Sequence, residues 1–284
     1  QATVLTQVST RVRGILPTQT AAGTPAGGGN MVNGAISLGI SGNGLLPWKD
    51  LIHRLFVINR TLTTDELAIA ERWAKQGMAY CAVIGDSTTA VNNAGGGLPA
   101  NRSVASLTGG MICHAAEITF AGGKIADQKT KWTALAGKTA LQAVFIQVGL
   151  NDINTYIGVS KTTAQIIADL QDLVNTVNAD KPAGCKTYIS ALTPCKAWIG
   201  VSTGQTAAAY AAWLDVNTAI SGGGATPITG VDRRITSHVA LLNDGSGNLL
   251  PAYDSNADGV HENGVARQII GQAWRAALEA DGLV

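Results

Sequence analysis

The chain has 284 residues, 20 basic and 19 acidic side chains, a formal net charge of +1, and only 14% charged residues. This length accommodates one sizeable α/β domain with an added module, or two small domains, and the lack of any basic cluster argues against a nucleic-acid partner. No run of eighteen apolar residues occurs, so no transmembrane helix and no membrane partner are expected, and the 34 glycines, interleaved with apolar β-branched runs, point to tight turns rather than disorder.

Gln1-Ala2-Thr3-Val4 carries neither an initiator Met nor a basic-then-apolar leader, so residue 1 reads as a processing point or the boundary of a fragment. Residues 1 to about 30 are rich in Thr, Ala, Gly and Pro, which is loop or linker chemistry. Leu51 to Ile58 predicts a strand and Asn59-Arg60 a turn. Thr63, Thr64, Asp65 and Glu66 then offer an N-cap hydroxyl and first-turn acids to a helix through Leu67, Ile69, Ala70, Trp73 and Ala74, ending near Gly77. These residues form an N-terminal extension over 1–78, ahead of a main domain over 79–284. Within the extension, Asn59, Arg60, Leu62, Thr63 and Glu66 stand as in the closing strand and terminal helix of a concanavalin A-like (LamG-type) lectin domain. That resemblance covers only about twenty residues, so it reads as a remnant, a truncation or an unrelated strand–helix lead-in.

From Tyr80 onward, strands and helices alternate. Tyr80–Ile84, Glu117–Phe120, Ala143–Val148, Lys186–Leu192 and Ser237–Leu242 are apolar runs of strand length, each ending in a polar or glycine-rich turn. Helical patterns run over Thr162–Asn178, Thr206–Ile220 and Glu262–Ala280, and His114 falls in a helical stretch before the second strand. Parallel strands joined by helical crossovers, with continuous apolar runs, predict an α/β/α arrangement around a five-stranded parallel sheet. Ligands in such a sheet sit beyond the carboxyl ends of the strands, where all the turns just named fall.

Cys81, Cys113, Cys185 and Cys195 show no C-x-x-C spacing and no pairing with histidine, so a zinc site is disfavoured, and the acyl-transfer chemistry set out below requires neither metal nor cofactor. Cys185 and Cys195 bracket one predicted strand, whose ten extended residues span roughly 33 Å, too far for a disulfide. Buried free thiols follow. The compartment is left open by these residues.

Acyl transfer through a serine needs an exposed hydroxyl, a histidine to take its proton, a carboxylate to orient that histidine, and donors for the oxyanion. Of four histidines, His261 stands three residues after a carboxylate, in Asp258-Gly-Val-His261 at the start of the last helix and near the sheet's carboxyl edge. His53 belongs to the extension, His114 lies away from the carboxyl ends, and His238 sits inside the predicted fifth strand as a core imidazole. Gly200-Val-Ser202-Thr-Gly204 matches the G-x-S-x-G elbow, but it follows a poor strand and leaves the other blocks unexplained.

Gly85-Asp86-Ser87 after the first strand, glycine after the second, Gly149-Leu150-Asn151-Asp152 after the third, and Asp258-x-x-His261 near the end resemble the four blocks of SGNH (GDSL-like) hydrolases. They occur in the family's order over about 200 residues. The resemblance implies a flavodoxin-like three-layer sandwich and a serine esterase with Ser87 as nucleophile and Asp258 and His261 as its partners. It implies an oxyanion hole built from the backbone N–H of Ser87, that of Gly123 (or else Gly122) and the side-chain amide of Asn151. Asp86 and Asp152 then brace these turns. The family's leucine after the serine is Thr88 here, as in the carbohydrate acetylesterase branch, and no long apolar lid is visible. Tyr156 and Trp198, after the third and fourth strands, would offer a sugar platform or else serve as ordinary loop aromatics. The expected substrate is a short acyl ester, acetyl on a carbohydrate for preference. The alternative is a non-catalytic carbohydrate-binding or structural module of a virion or cell surface, and either setting is extracellular or virion-associated rather than cytoplasmic.

Overall fold

The computed structural model describes residues 79–89, 112–119, 121–136, 138–255 and 257–283. Residues 1–78 lie outside these, and with them the predicted strand over 51–58, the helix near 63–77 and the lectin-like stretch.

Five strands form one sheet: β1 (Ala79–Gly85), β2 (Ile112–Thr119), β3 (Ala143–Gln147), β4 (Lys186–Ser190) and β5 (Arg233–Ile235), in the order β2-β1-β3-β4-β5, every pair parallel. Among the described residues six α-helices accompany them: α1 (Ile125–Ala134), α2 (Leu150–Tyr156), α3 (Thr163–Asp180), α4 (Thr206–Ser221), α5 (Ser237–Leu242) and α6 (Gly264–Ala280).

Side chains alternate along a strand, so each strand feeds two cores. Ala82, Ile84, Val144, Ile146 and Ile189 pack with Ile125 and Trp132 of α1, Ile166 and Leu170 of α3, and Val216 of α4. Val83, Ala143, Phe145, Tyr188 and Ile235 pack on the opposite face with Leu242 of α5 and Ile270, Trp274 and Leu278 of α6. The expected α/β/α sandwich is therefore present, and burial on both faces explains why the central strands read as unbroken apolar runs. Phe145 stacks on Trp274 at 4.4 Å between ring centroids, locking α6 to β3.

Helix ends follow local chemistry. Thr162 and Gln165 form a reciprocal capping box ahead of α3, and α4 stops where Gly222 adopts a left-handed φ of 92°.

The fifth strand is not where the sequence places it. Ser237–Leu242 is helix α5, whose His238 and Leu242, four residues apart, form its buried face. The edge strand β5 is the three-residue Arg233–Ile235, with both guanidiniums tied down by Asp281 Oδ1 at 2.6 Å and the Ile228 carbonyl at 2.5 Å. A polar edge strand has no apolar run to announce it, and a six-residue apolar run does not separate helix from strand. His114 likewise falls within strand β2 rather than a helix, because β2 starts five residues before the predicted Glu117. Cys185 and Cys195 are buried free thiols, and burial pushes the Cys185 thiol up to about 11. Among the described residues no helix is long and apolar enough to cross a membrane, and no cluster of three potential ligands is placed for a metal ion.

Candidate active site

Three turns meet beyond the carboxyl ends of β1 and β3. The first follows β1. Gly85 closes the strand, and a Cβ there would meet Thr89 Oγ1 at 1.9 Å and the Gln147 carbonyl at 3.0 Å, so only glycine fits. Asp86 is buried, and its Oδ1 accepts hydrogen bonds from the Thr88 backbone N–H at 3.0 Å and the Thr88 hydroxyl at 2.9 Å. The Gln128 amide donates to the Gly85 carbonyl at 2.6 Å, bracing the same turn from α1. Ser87 is left half-buried at the apex.

The second and third turns are tied to each other. Gly149, at φ 132°, reverses the chain after β3 and starts α2, which puts Asn151 and Asp152 in its first turn. Asn151 Nδ2 donates to the Gly123 carbonyl at 3.2 Å, and the Ile125 N–H donates to Asp152 Oδ2 at 3.0 Å. Gly123 is buried beneath these bonds, whereas Gly122 is exposed at φ 74° with open space around it. The expected bracing roles of Asp86 and Asp152 match these contacts.

The loop before α6 brings in the acid and the imidazole. Ser255 N–H donates to the His261 carbonyl at 2.8 Å and Asn263 N–H to the Tyr253 carbonyl at 2.7 Å, so the loop is clasped at its base. Inside it, Asp254 accepts from the N–H groups of Asp258 and Gly259. Asp258 Oδ1 accepts from the N–H groups of Val260 and His261, and its Oδ2 accepts from His261 Nδ1 at 2.5 Å. His261 Nε2 lies 3.0 Å from Ser87 Oγ, across 174 residues of sequence. With Nδ1–H directed at the carboxylate, Nε2 is the acceptor for the serine hydroxyl.

Electrostatics separate the acids. Burial alone would raise Asp258, but hydrogen bonds from His261 and Val260 outweigh it and hold the carboxyl below its ordinary value. Burial pushes Asp86 and Asp152 each up to about 6 and Glu262 up to about 7. Burial also lowers His238 to about 4; its Nε2 sits 3.0 Å from the Ala191 carbonyl, which makes it a neutral core imidazole as expected, though on a helix.

The two aromatic candidates part company. Trp198 is half-buried on the turn after β4, directly against Gly259 of the His261 loop. Tyr156 ends α2, with the ammonium groups of Lys124 and Lys161 at 4.6 and 4.8 Å from its ring centroid. Ser202 of the alternative elbow is exposed, and Gly200 answers to packing, since a Cβ there would meet Ala209 and Gln205 at 2.8 Å. Gln128 and Glu262 escaped the sequence reading, because neither belongs to a motif and both owe their place to tertiary packing.

No family model and no curated protein matches the chain. Among solved structures it is similar to a GDSL-like lipase from Bacteroides thetaiotaomicron, at 16% identity and a TM-score of 0.48 over 77% of this chain and 98% of that one. A catalytic mutant of an acetylxylan esterase from Geobacillus stearothermophilus is 16% identical, with a TM-score of 0.46 over 69% of this chain and 92% of the other. A lipase/acylhydrolase from Enterococcus faecalis is 15% identical, with a TM-score of 0.45 over 72% and 97% of the two chains.

Proposed function

We propose that the chain is a serine carboxylic-ester hydrolase of the SGNH type, acting on short acyl esters through an acyl-enzyme on Ser87. The observation that carries this reading is the continuous line from Asp258 Oδ2 to His261 Nδ1 at 2.5 Å and from His261 Nε2 to Ser87 Oγ at 3.0 Å. It lies at the sheet edge where ligands of parallel α/β folds bind.

In the first step His261 Nε2 takes the hydroxyl proton as Ser87 Oγ attacks the ester carbonyl. The oxyanion is received by the N–H groups of Ser87 and Gly123 and by the second amide hydrogen of Asn151. The imidazolium, held by Asp258, then gives its proton to the leaving alcohol. Water repeats the cycle on the acyl-enzyme, releasing the acid and restoring Ser87. No cofactor or metal is needed for these steps.

Acetyl on a carbohydrate is the preferred substrate. Thr88 in place of the lipase-type leucine supports this choice, and half-buried Trp198, whose backbone runs beside Gly259 of the His261 loop, is the aromatic candidate placed against that loop.

The test is hydrolysis of p-nitrophenyl acetate beside longer-chain p-nitrophenyl esters, by the wild type and by Ser87→Ala. Turnover of the acetate that disappears in Ser87→Ala is expected. Turnover that survives in the variant moves the nucleophile elsewhere, and activity restricted to long acyl chains overturns the short-chain assignment. A wild type that turns over no ester, but retains glycans, is a binding module instead.

A further inference from the structure

Each reacting side chain of the proposed site is flanked in sequence by a buried acid. Asp86 precedes Ser87 and is 1% exposed, and Glu262 follows His261 and is 0% exposed. The second placement follows from extended geometry: Glu262 bridges to Asp254, so neighbouring side chains point to opposite faces, His261 toward Ser87 and Glu262 inward.

The inward face is polar. Neither Glu262 oxygen nor Asp86 Oδ2 receives a hydrogen bond among the described residues. The Thr193 hydroxyl lies against Glu262 without completing one of full geometry. Among the described residues, the titratable and charged groups around Glu262 are Arg267 from α6, Asp86 from the turn after β1, the Cys195 thiol from the segment after β4, and His261 beside it. Arg267 is itself 1% exposed and is the cation of this group. A buried carboxylate without donors strongly favours its neutral form, and one guanidinium balances one anion, not two.

We propose that Glu262 is a positioning residue that keeps its proton while Asp86 is ionised, so that the two buried acids and Arg267 leave no surplus negative charge beneath Ser87 and His261. The proposal rests on the serine-esterase reading above. Asp86 and the imidazole already attract each other when both are charged. A second anion at Glu262 adds to that attraction and retains the proton on the ring that must act as base. A neutral Glu262 avoids this. When its O–H bond breaks and the proton passes to water, the acid limb of activity is drawn to higher pH. Burial, which pushes Glu262 up to about 7, places this ionisation in the working range of a histidine base.

The experiment is the pH profile of kcat/KM for p-nitrophenyl acetate between pH 5 and 9, comparing the wild-type chain with Glu262→Gln. The amide fixes the neutral state, so the acid limb is expected to steepen to a single ionisation and move to lower pH by ~0.5 unit or more, the effect of one charge several ångströms away in a partly solvated site. Superimposable profiles from a folded variant overturn the proposal while leaving the esterase reading intact. Loss of all turnover in the wild type overturns the esterase reading instead. A second measurement needs neither activity nor a variant: carbon-13 titration of the glutamate side-chain carboxyls in the wild type. One carboxyl titrating near neutrality is expected; all titrating near the ordinary ~4.3 overturns the proposal.

Discussion

Gly85 sits where the Ser87 turn has no room. A Cβ at this position needs Thr89 Oγ1, which donates to the Asp86 carbonyl at 3.1 Å, to move away, and it presses on the Gln147 backbone. Gly85→Ala is therefore expected to cost about 1–3 kcal/mol of stability, the usual range for overpacking. It should also displace Ser87 from His261, so the thermal midpoint and kcat fall together; an alanine variant with wild-type kcat refutes this account of the turn. Two supporting side chains of the proposed site are expected to fail differently. Asp258→Asn keeps the shape of the loop but cannot hold the same imidazole tautomer, and kcat is expected to drop by about 10³–10⁴-fold with KM little changed. Asn151→Ala removes one oxyanion donor along with the bond to the Gly123 carbonyl, and a kcat loss of about 10²–10³-fold is expected. Steady-state kinetics of both variants on the same acetyl ester separates the two effects.

At the scale of elements, α6 couples stability to the site. Its N-cap Asn263 accepts from Val265 and Ala266 N–H and donates to the Ala252 carbonyl at 2.7 Å, two residues after His261. Asn263→Ala is expected to cost ~1 kcal/mol in denaturant unfolding. Because the same side chain clasps the loop, it should also lower kcat; lost stability with unchanged kcat would confine Asn263 to capping. The sequence shows such elements unevenly. β1, β3, β4 and the three long helices were legible within a few residues, because central parallel strands bury both faces and long helices repeat their apolar positions. β5 and α5 were not, since Arg233-Arg234 disguises an edge strand and Ser237–Leu242 is too short for its period to show. Asp258 and His261 were legible as a pair from their one-turn spacing, whereas Ser87 was singled out only by the resemblance of its block to SGNH hydrolases, since nothing local says that it meets a histidine 174 residues away. Glu262 was hidden, as nothing local says that the residue after His261 faces Arg267, Asp86 and Thr193. The short helices α1 and α2 also went unpredicted, although α2 presents Asn151.

For the whole molecule, these buried acids make stability and activity pull in opposite directions along the pH axis. Asp86, Asp152 and Glu262 have their carboxyls raised to about 6, 6 and 7, chiefly by burial. A carboxyl raised in the folded state contributes stability that is fully present below its unfolded value near 4 and is lost as pH climbs through 6 to 7. His238, lowered to about 4 by burial, works the other way, contributing stability above about 6.5 that is lost as pH falls toward 4. Three raised acids outweigh one lowered imidazole. Carboxylates held below their ordinary values, such as Asp258, Asp232 and Asp281, contribute only as pH rises past about 4. The thermal midpoint is therefore expected to peak near pH 4 and to fall by several degrees by pH 7, over a range in which the proposed histidine-based turnover rises. Glu262→Gln removes one of the three raised acids and should flatten the upper part of that fall. A midpoint that climbs steadily from pH 4 to 7 would mean that the buried acids are ionised throughout and paired more tightly than their surroundings allow.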